Sequence, residues 1–317
     1  MLTLLAVAPA GAGDIFLQQL INGLTTGTLF ALIAIGYTMV YGIIELINFA
    51  HGDLFMLGAF LALTLITELG LAGAGMGTAG AAGGILLTFA VCMAFCATLN
   101  FAVDRIVYRP LRNAPKLTPL VSAIGLSFIF MGIGQLWKGV ADLNVPDIID
   151  NKNLLAGDTV RFTLKDLVVI LITVPLMIGL TLFVKHTRLG KAMRATAQNP
   201  TAARLMGIDV DRVIGATFAI GGSLAGAAAV IYGLYINTVS FQMGYQNGLY
   251  AFTAAVLGGI GNLPGAMLGG ILIGLIRSLG SQYVGEQWTS ALVFAMLIVI
   301  LVFRPSGLLG ARTREKV

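Results

Sequence analysis

Nine stretches of this chain are apolar and long enough, or nearly so, to cross a lipid bilayer, and no other property restricts its fold as sharply. They run over Phe16–Val40, Asp53–Glu68, Gly83–Ile106, Thr118–Trp137, Leu167–Val184, Val213–Ile236, Leu249–Ile260, Gly265–Leu279 and Thr289–Phe303. A helical crossing takes about 20 predominantly apolar residues, because in hydrocarbon every backbone N–H and C=O must be satisfied within the element itself. The second and seventh stretches are short or glycine-rich, so they are expected to be tilted, broken or re-entrant, and the count comes to eight or nine crossings. The expected fold is all-α, a single polytopic bundle of membrane helices over residues 1–317. Composition agrees: 57% of the residues are hydrophobic and only 10% charged, against roughly 25% charged in a soluble domain.

The 41 glycines fit the same picture. Gly23 and Gly27, Gly222 and Gly226, Gly265 and Gly269, and Gly270 and Gly274 are each four apart, the spacing that lets two membrane helices approach closely. Cys92 and Cys96 lie four apart in an apolar run and read as small buried hydrophobes rather than a disulfide. The leading segment "MLTLLAVAPAGAGD" lacks the basic start of a signal peptide, so it is expected to be retained.

A net charge of +5 is compatible with a nucleic-acid partner, but the cations are distributed as a topology signal. Three regions are basic: Arg105, Arg109, Arg112 and Lys116; then Lys185, Arg188, Lys191, Arg194, Arg204 and Arg212; then Arg304, Arg312, Arg314 and Lys316. The positive-inside rule makes all three cytoplasmic. Between Trp137 and Leu167, Lys138, Lys152, Arg161 and Lys165 are offset by Asp142, Asp147, Asp150, Asp158 and Asp166, so the 138–166 loop is expected outside. A loop of that length is too small for an enzyme domain and suits a docking surface.

Motifs for autonomous chemistry are missing. The sequence contains no G-x-x-x-x-G-K-[ST], no G-x-S-x-G, no H-E-x-x-H and no cysteine–histidine cluster with metal spacing. His51 and His186 are the only histidines, which excludes a relay of histidines. No cofactor or metal is expected, and any nucleotide hydrolysis must reside elsewhere.

The 185–212 loop, "KHTRLGKAMRATAQNPTAARLMGIDVDR", carries helical signals. Leu189, Ala192, Met193, Thr196 and Ala197 follow one helical face. Asn199 then suits an N-cap, Pro200 the first helical position, and Gly207 the position after the helix end. A second short helix over Thr201–Met206 would carry Ala202, Leu205 and Met206 on one side. Two amphipathic helices there could lie on lipid or dock a cytoplasmic partner. The lack of Trp and Phe anchors favours the partner.

Two polar interruptions stand out within apolar sequence. "INFAHGD" at 47–53, with Glu45 just before it, places Asn48, His51 and Asp53 where lipid-compatible residues belong; "LGGIGNLPG" at 257–265 brings Gly258, Gly259 and Asn262. Backbone that leaves the helix at membrane depth persists only where protein or a wet cavity satisfies it, and paired interruptions in the two halves of a transporter point to its pathway. These six residues are the candidate translocation-pathway residues. Plainer roles exist for most of them. Asp53 could N-cap the helix that follows, Asn48 could cap or bridge a break, and Gly52 could supply a permissive backbone. His51 has no capping role; a gating or inter-subunit contact and a hydrogen bond to a neighbouring helix are equally open for it. Glu45 suits the headgroup level, and Arg277 should snorkel or pair with an acid such as Glu286.

"RATAQNPTAARLMGI" resembles the coupling loop of ABC-importer permeases. "NGLTTGTLFALIAIGYTMVYGIIELINFAHGD", "AFTAAVLGGIGNLPGAMLGGILIG" and "RPSGLLG" closely resemble the branched-chain amino acid permeases of that superfamily, over about Phe16 to Gly310. The superfamily loop begins Glu-Ala-Ala, whereas here Arg194-Ala195-Thr196 stand, a departure typical of one branch. The resemblance implies Arg194, Ala195, Pro200, Ala202, Leu205, Met206 and Gly207 as ATPase-coupling residues. It also implies a second permease subunit in a heterodimer, two cytoplasmic ATPase subunits, a periplasmic substrate-binding protein, surrounding membrane lipid, and no nucleic acid. The cargo it implies is leucine, isoleucine or valine, and the location a bacterial inner membrane. Two other classes stay open on the residues alone: a stand-alone ion-coupled transporter or channel for a small amino acid or an amide such as urea, and an intramembrane enzyme.

Overall fold

The computed structural model of the chain describes residues 11–46, 48–71, 78–112, 114–115, 117–155 and 159–310. The first ten residues of the leading segment and Lys116, Asp158, Arg312, Arg314 and Lys316 lie outside the described residues. The elements in order are α1 (Ala12–Ile44), α2 (Ala50–Thr67), α3 (Thr78–Val103), a π-helical turn (Asp104–Tyr108), α4 (Arg109–Leu111), α5 (Leu117–Lys138), β1 (Leu143–Asn144), α6 (Leu164–His186), α7 (Arg188–Gln198), α8 (Pro200–Leu205), α9 (Val210–Ile236), β2 (Thr238–Val239), α10 (Met243–Gly258), α11 (Leu263–Tyr283) and α12 (Glu286–Phe303). The molecule is an all-α membrane bundle.

Eight helical segments among the described residues are long and apolar enough to span: α1, α2, α3 with its π turn and α4, α5, α6, α9, α11 and α12. The seventh apolar stretch of the sequence is α10, which has 16 residues and falls short of that length. It still carries the chain back across. The segment 143–144 pairs antiparallel with 238–239, so the end of α9 lies on the same side as the 138–166 loop. The turn after α10 lies with the basic side, where Leu308 and Leu309 donate backbone bonds to the Leu257 and Gly258 carbonyls. The chain therefore traverses the layer nine times, once by a short helix.

Side-chain bonds fix the two faces. On one, Gln18 bonds Arg161 backbone, Lys138 pairs with Glu68, and Gln19 bonds Gln282 across the ends of α1 and α11. Lys165 on this face donates to both Asp147 and Asn237. Its ammonium, with the Asn237 amide second, holds the Asp147 carboxyl below the usual carboxylate range. The opposite face collects Arg105, Arg109, Arg112 and the 185–212 loop, and the positive-inside rule makes it cytoplasmic.

α1, α2 and α9 form the buried centre, while α3, α5, α6 and α12 expose apolar side chains such as Leu86, Val121, Phe128 and Val302 outward. An apolar outer surface is what a hydrocarbon solvent requires. The centre is held by backbone approach. A Cβ at Gly23 or Gly27 would press on the backbone of Leu275 or Ile271 of α11, and one at Gly222 or Gly226 on the Cys96 or Cys92 backbone of α3. Gly265 and Gly269 likewise pack on Gly258 and Ala254 of α10, and Gly270 and Gly274 on Ala31 and Gly27 of α1, so all four expected small-residue pairs are helix contacts within the chain. Cys92 and Cys96 are buried and free.

Candidate translocation and coupling sites

α1 is 33 residues long and ends at Glu45, which takes a left-handed conformation (φ 53°). The chain then turns back into the layer and restarts as α2 at Ala50. The depth of the restart is set by its neighbours. His51 lies against Gly36 and Tyr37, in the last third of α1, with the Tyr37 and His51 rings edge to face at 4.8 Å. Asp53 accepts a bond from Ser127, midway along α5. The chain is thus interrupted between Glu45, which is exposed, and Asn48, which is buried, before α2 enters the bundle.

The capping roles open to these side chains are not the ones they fill. α2 begins after Phe49, which offers no side-chain cap, and Asp53 sits inside the first turn. Its Oδ2 is spent on Ser127, and its Oδ1 has no hydrogen-bond partner. Asn48 neither caps nor bridges the break along its own strand; its amide donates to Asn100 of α3 (3.3 Å) and its oxygen accepts from Tyr108 (3.1 Å). Asn100 in turn donates to the Phe218 carbonyl of α9 at 2.6 Å. Gly52 is required for proximity rather than backbone freedom, because a Cβ there would run into Gly244 and Gly248 of α10. His51 is 1% exposed, its ring lies against Gly36 and Tyr37 of α1, and neither ring nitrogen has a hydrogen-bond partner among the described residues.

What meets the early break is the start of α10, a feature sequence reading did not single out. Gly244 packs directly on Asp53, Gly52 and Met56, and Gly248 on Gly52 and the Tyr37 hydroxyl. α2 and α10 both begin inside the layer, and their first turns abut. Their N–H-rich ends, each equivalent to roughly half a positive charge, converge beside the Asp53 carboxyl. The spacing Gly244, Gly248 was the available signal, hidden because Tyr245, Gln246 and Asn247 make the segment look like a polar loop.

The later interruption sits elsewhere. Gly259 (φ 107°) and Gly261 (φ 88°) turn the chain between α10 and α11, where a side chain would be strained. Asn262 caps α11 by accepting from the Gly265 N–H (3.1 Å) and donates to the Leu309 carbonyl (2.6 Å). Gly258 packs on Gly265, and Gly259 on Ser306 and Gly310. So Gly258, Gly259 and Asn262 lie at the cytoplasmic end, apart from His51 and Asp53. Their neighbours Ile260 and Gly261 line an open cavity of about 1190 Å³ that also reaches Tyr41, Gly42, Glu45 and Arg304.

In the 185–212 loop the helical signals hold. Thr187 caps α7 by accepting from Gly190 N–H, Asn199 caps α8 by accepting from Ala202 N–H, and Gly207 is left-handed at φ 81° just past the Met206 helix end. Met193 and Thr196 face inward with Leu189 and Ala192 half-buried, whereas Ala197, expected on that face, is exposed. Arg194 turns back to donate to the Val184 carbonyl at the end of α6. Ala195 is half-buried; Pro200, Ala202 and Gly207 are exposed. Leu205 and Met206 are each 83% exposed, two apolar side chains in water on the cytoplasmic face. Beside them Ala195, Gln198, Asn199, Ala202, Ala203 and Ile208 shape a groove of about 240 Å³.

Below the break runs a charged cluster. Arg112 bonds Asp104 at 2.6 Å and Asp211 at 2.5 Å; Arg109 also reaches Asp211, at 3.0 Å. Asp211 lies in the first turn of α9, directly after α8. Arg277, 31% exposed, lies 4.0 Å from Glu286 and over the Phe30 and Tyr250 rings, combining the expected pairing with cation–π contact. Among the described residues no cluster of three or more potential metal ligands occurs.

Residues 19–301 match the family model described as "Branched-chain amino acid transport system / permease component". The chain is 41% identical over 306 residues to a high-affinity branched-chain amino acid transport system permease protein, BraD, of Pseudomonas aeruginosa, covering 95% of this chain and 98% of that one. It is 40% identical, with the same coverage, to the corresponding permease protein LivH of Escherichia coli. An autoinducer 2 import system permease protein, LsrD, of Escherichia coli is 30% identical over 246 residues, 73% of this chain and 70% of that one.

Proposed function

The chain belongs to the family of branched-chain amino acid transport system permeases, and from that membership we propose that it is the transmembrane half-channel of an ATP-driven importer for leucine, isoleucine and valine. It is a multi-pass membrane protein, and its relatives are transport permeases rather than enzymes. In this reading a second permease subunit completes a heterodimer, two cytoplasmic ATPase subunits supply the energy, and a periplasmic binding protein delivers the cargo. The host membrane is a bacterial inner membrane.

The observation that carries the reading is identity near 40% to the transport permeases over 95% of the chain. The geometry is consistent with it. Leu205 and Met206, held out by the capped α7–α8 pair and turned by Gly207, suit a protein partner: exposed apolar side chains beside a groove gain most when a complementary surface removes them from water. Arg194, Ala195, Pro200 and Ala202 frame that surface. On the pathway side, Asn48, His51 and Asp53 at the start of α2, and Gly258, Gly259 and Asn262 at the turn between α10 and α11, are the residues the reading assigns to passage. A channel for a zwitterion with an apolar side chain needs weak polar contacts, since a deep well slows release. The relatedness to an autoinducer 2 permease shows how far this scaffold's cargo ranges among relatives.

The test is uptake of radiolabelled leucine, isoleucine and valine by proteoliposomes holding the chain with its candidate permease, ATPase and binding-protein partners. ATP-dependent uptake that requires all of them is expected. Leu205→Asp should abolish co-purification of the ATPase while the chain remains folded, because substitutions at such exposed sites usually change stability by no more than about 0.5 kcal/mol. Uptake by the chain alone, driven by an ion gradient without ATP, would instead make it a secondary transporter.

A further inference from the structure

Two sets of polar contacts, joined by the one π-helical turn among the described residues, connect the 185–212 loop to the turn before α2. The first begins at Asp211, which follows α8 within six residues and accepts from Arg112. Arg112 also holds Asp104, the first residue of the π turn, whose side chain is fully buried. Tyr108, the last residue of that turn, is 0% exposed, and its hydroxyl donates to Asn48 in the break before α2.

The π turn makes this connection possible. Its wide backbone bond, from the Arg109 N–H to the Asp104 carbonyl, changes the angular register between α3 and α4. Asp104 and Tyr108 are thereby both turned inward, one toward the arginine cluster and one toward the break. Apolar residues at both places would be cheaper to bury, since each buried polar group needs a partner. Asp104 Oδ2 and Arg112 Nε even lack one. Short π segments inside α-helices, which cost backbone geometry, frequently mark functional sites.

We propose that Tyr108 is a positioning residue of the transport cycle: by holding Asn48, it couples displacement of the α8–α9 junction to the position of the break that carries His51 and Asp53. When an ATPase moves α7 and α8, Asp211 moves with the start of α9. Arg112 and Asp104 hand that movement to the π turn. Tyr108 then shifts Asn48, and with it the first turn of α2 against Gly244 of α10. The Phe218 ring, 5.3 Å from the Tyr108 ring, and the Asn100–Phe218 bond keep α9 in register with the same point. The proposal rests on the reading of the chain as an ATP-driven permease and assigns this route to its coupling.

Tyr108→Phe removes one hydroxyl and keeps the ring. In proteoliposomes of the complete importer, ATP hydrolysed per amino acid imported should rise at least about fivefold, the low end of ordinary coupling between distant sites. Asn48→Ala breaks the same contact from the other end and should give the same rise, so the test survives misfolding of either variant. The combination Tyr108→Phe with Asp211→Asn should be no worse than the worse single variant if one route serves both. A wild-type ratio in both single variants, with only a lowered melting temperature, would overturn the proposal, as would effects that multiply in the combination. Absence of ATP-driven uptake in the wild type would count against the importer reading itself, and is read separately.

Discussion

Ser127 of α5 donates its only hydroxyl proton to Asp53 of α2, and that bond is the sole hydrogen bond made by a carboxyl 1% exposed at the centre of the layer. Ser127→Ala removes it and leaves a buried acceptor unsatisfied, at about 1–3 kcal/mol. The melting temperature in detergent should fall accordingly. The double variant with Asp53→Ala should be less destabilised than the sum of the two single variants, because the orphaned acceptor disappears with its donor.

Gly52→Ala is expected to be far more damaging than Gly125→Ala. At Gly52 a Cβ meets the carbonyl of Gly244 and the Cα of Gly248, backbone on the opposing helix that cannot rotate away; at Gly125 there is open space. Overpacking of a tight core costs about 1–3 kcal/mol, whereas alanine at an unconstrained helical position gains up to about 1 kcal/mol over glycine. Thermal unfolding of the two variants side by side should give shifts of opposite sign.

Arg112 and Arg109 both contact Asp211, yet they should behave differently on truncation. Arg112→Ala strands the fully buried Asp104 without its cation, a loss of about 3–5 kcal/mol for a broken buried pair. Arg109 is 44% exposed, and Arg109→Ala should cost about 0–1 kcal/mol. Raising salt should reduce the Arg109 effect and leave that of Arg112 nearly intact.

The clasp of Lys165, Asp147 and Asn237 on the outer face should loosen in acid. Asp147 has a folded-state pKa below its unfolded one, chiefly through the Lys165 ammonium. Its contribution is therefore present above the ordinary aspartate value of about 3.9 and is lost as pH falls from there through the lowered folded value. Asp147→Asn should flatten that part of the stability–pH curve and lower stability near neutrality to the level the wild type reaches in acid. Hydrogen exchange at Thr238 and Val239, whose strand the clasp secures, reports it directly.

Much of the bundle is written in patterns that survive without tertiary context. Apolar length gave the spans, a helical face gave α7, and local caps gave α8, since Asn199 and Gly207 act on neighbours within a few residues. Where the partner lies far along the chain, the reading went astray. Asp53 looks like an N-cap until Ser127, 74 positions later, is known to claim its oxygen. The two interruptions read as a pair because both break apolar runs, and Glu45, Ile260 and Gly261 line one cavity. The start of α10, which packs on the first turn of α2, was not legible. Its glycines matter only because Gly52 faces them across two hundred residues of sequence, a relation no local period can report.

The bonds from Leu308 and Leu309 to the carbonyls of Leu257 and Gly258 set an order on biogenesis. The last turn of any helix carries carbonyls without internal partners, and in α10 these two receive theirs only from chain made about 50 residues later, roughly 3–10 s of synthesis. Until then α10 is a short helix with an open end, waiting while α11 and α12 enter the membrane. An insertion factor or chaperone that recognises unfinished membrane segments would find its clearest target there, and stalling the ribosome just before Leu308 should lengthen that contact.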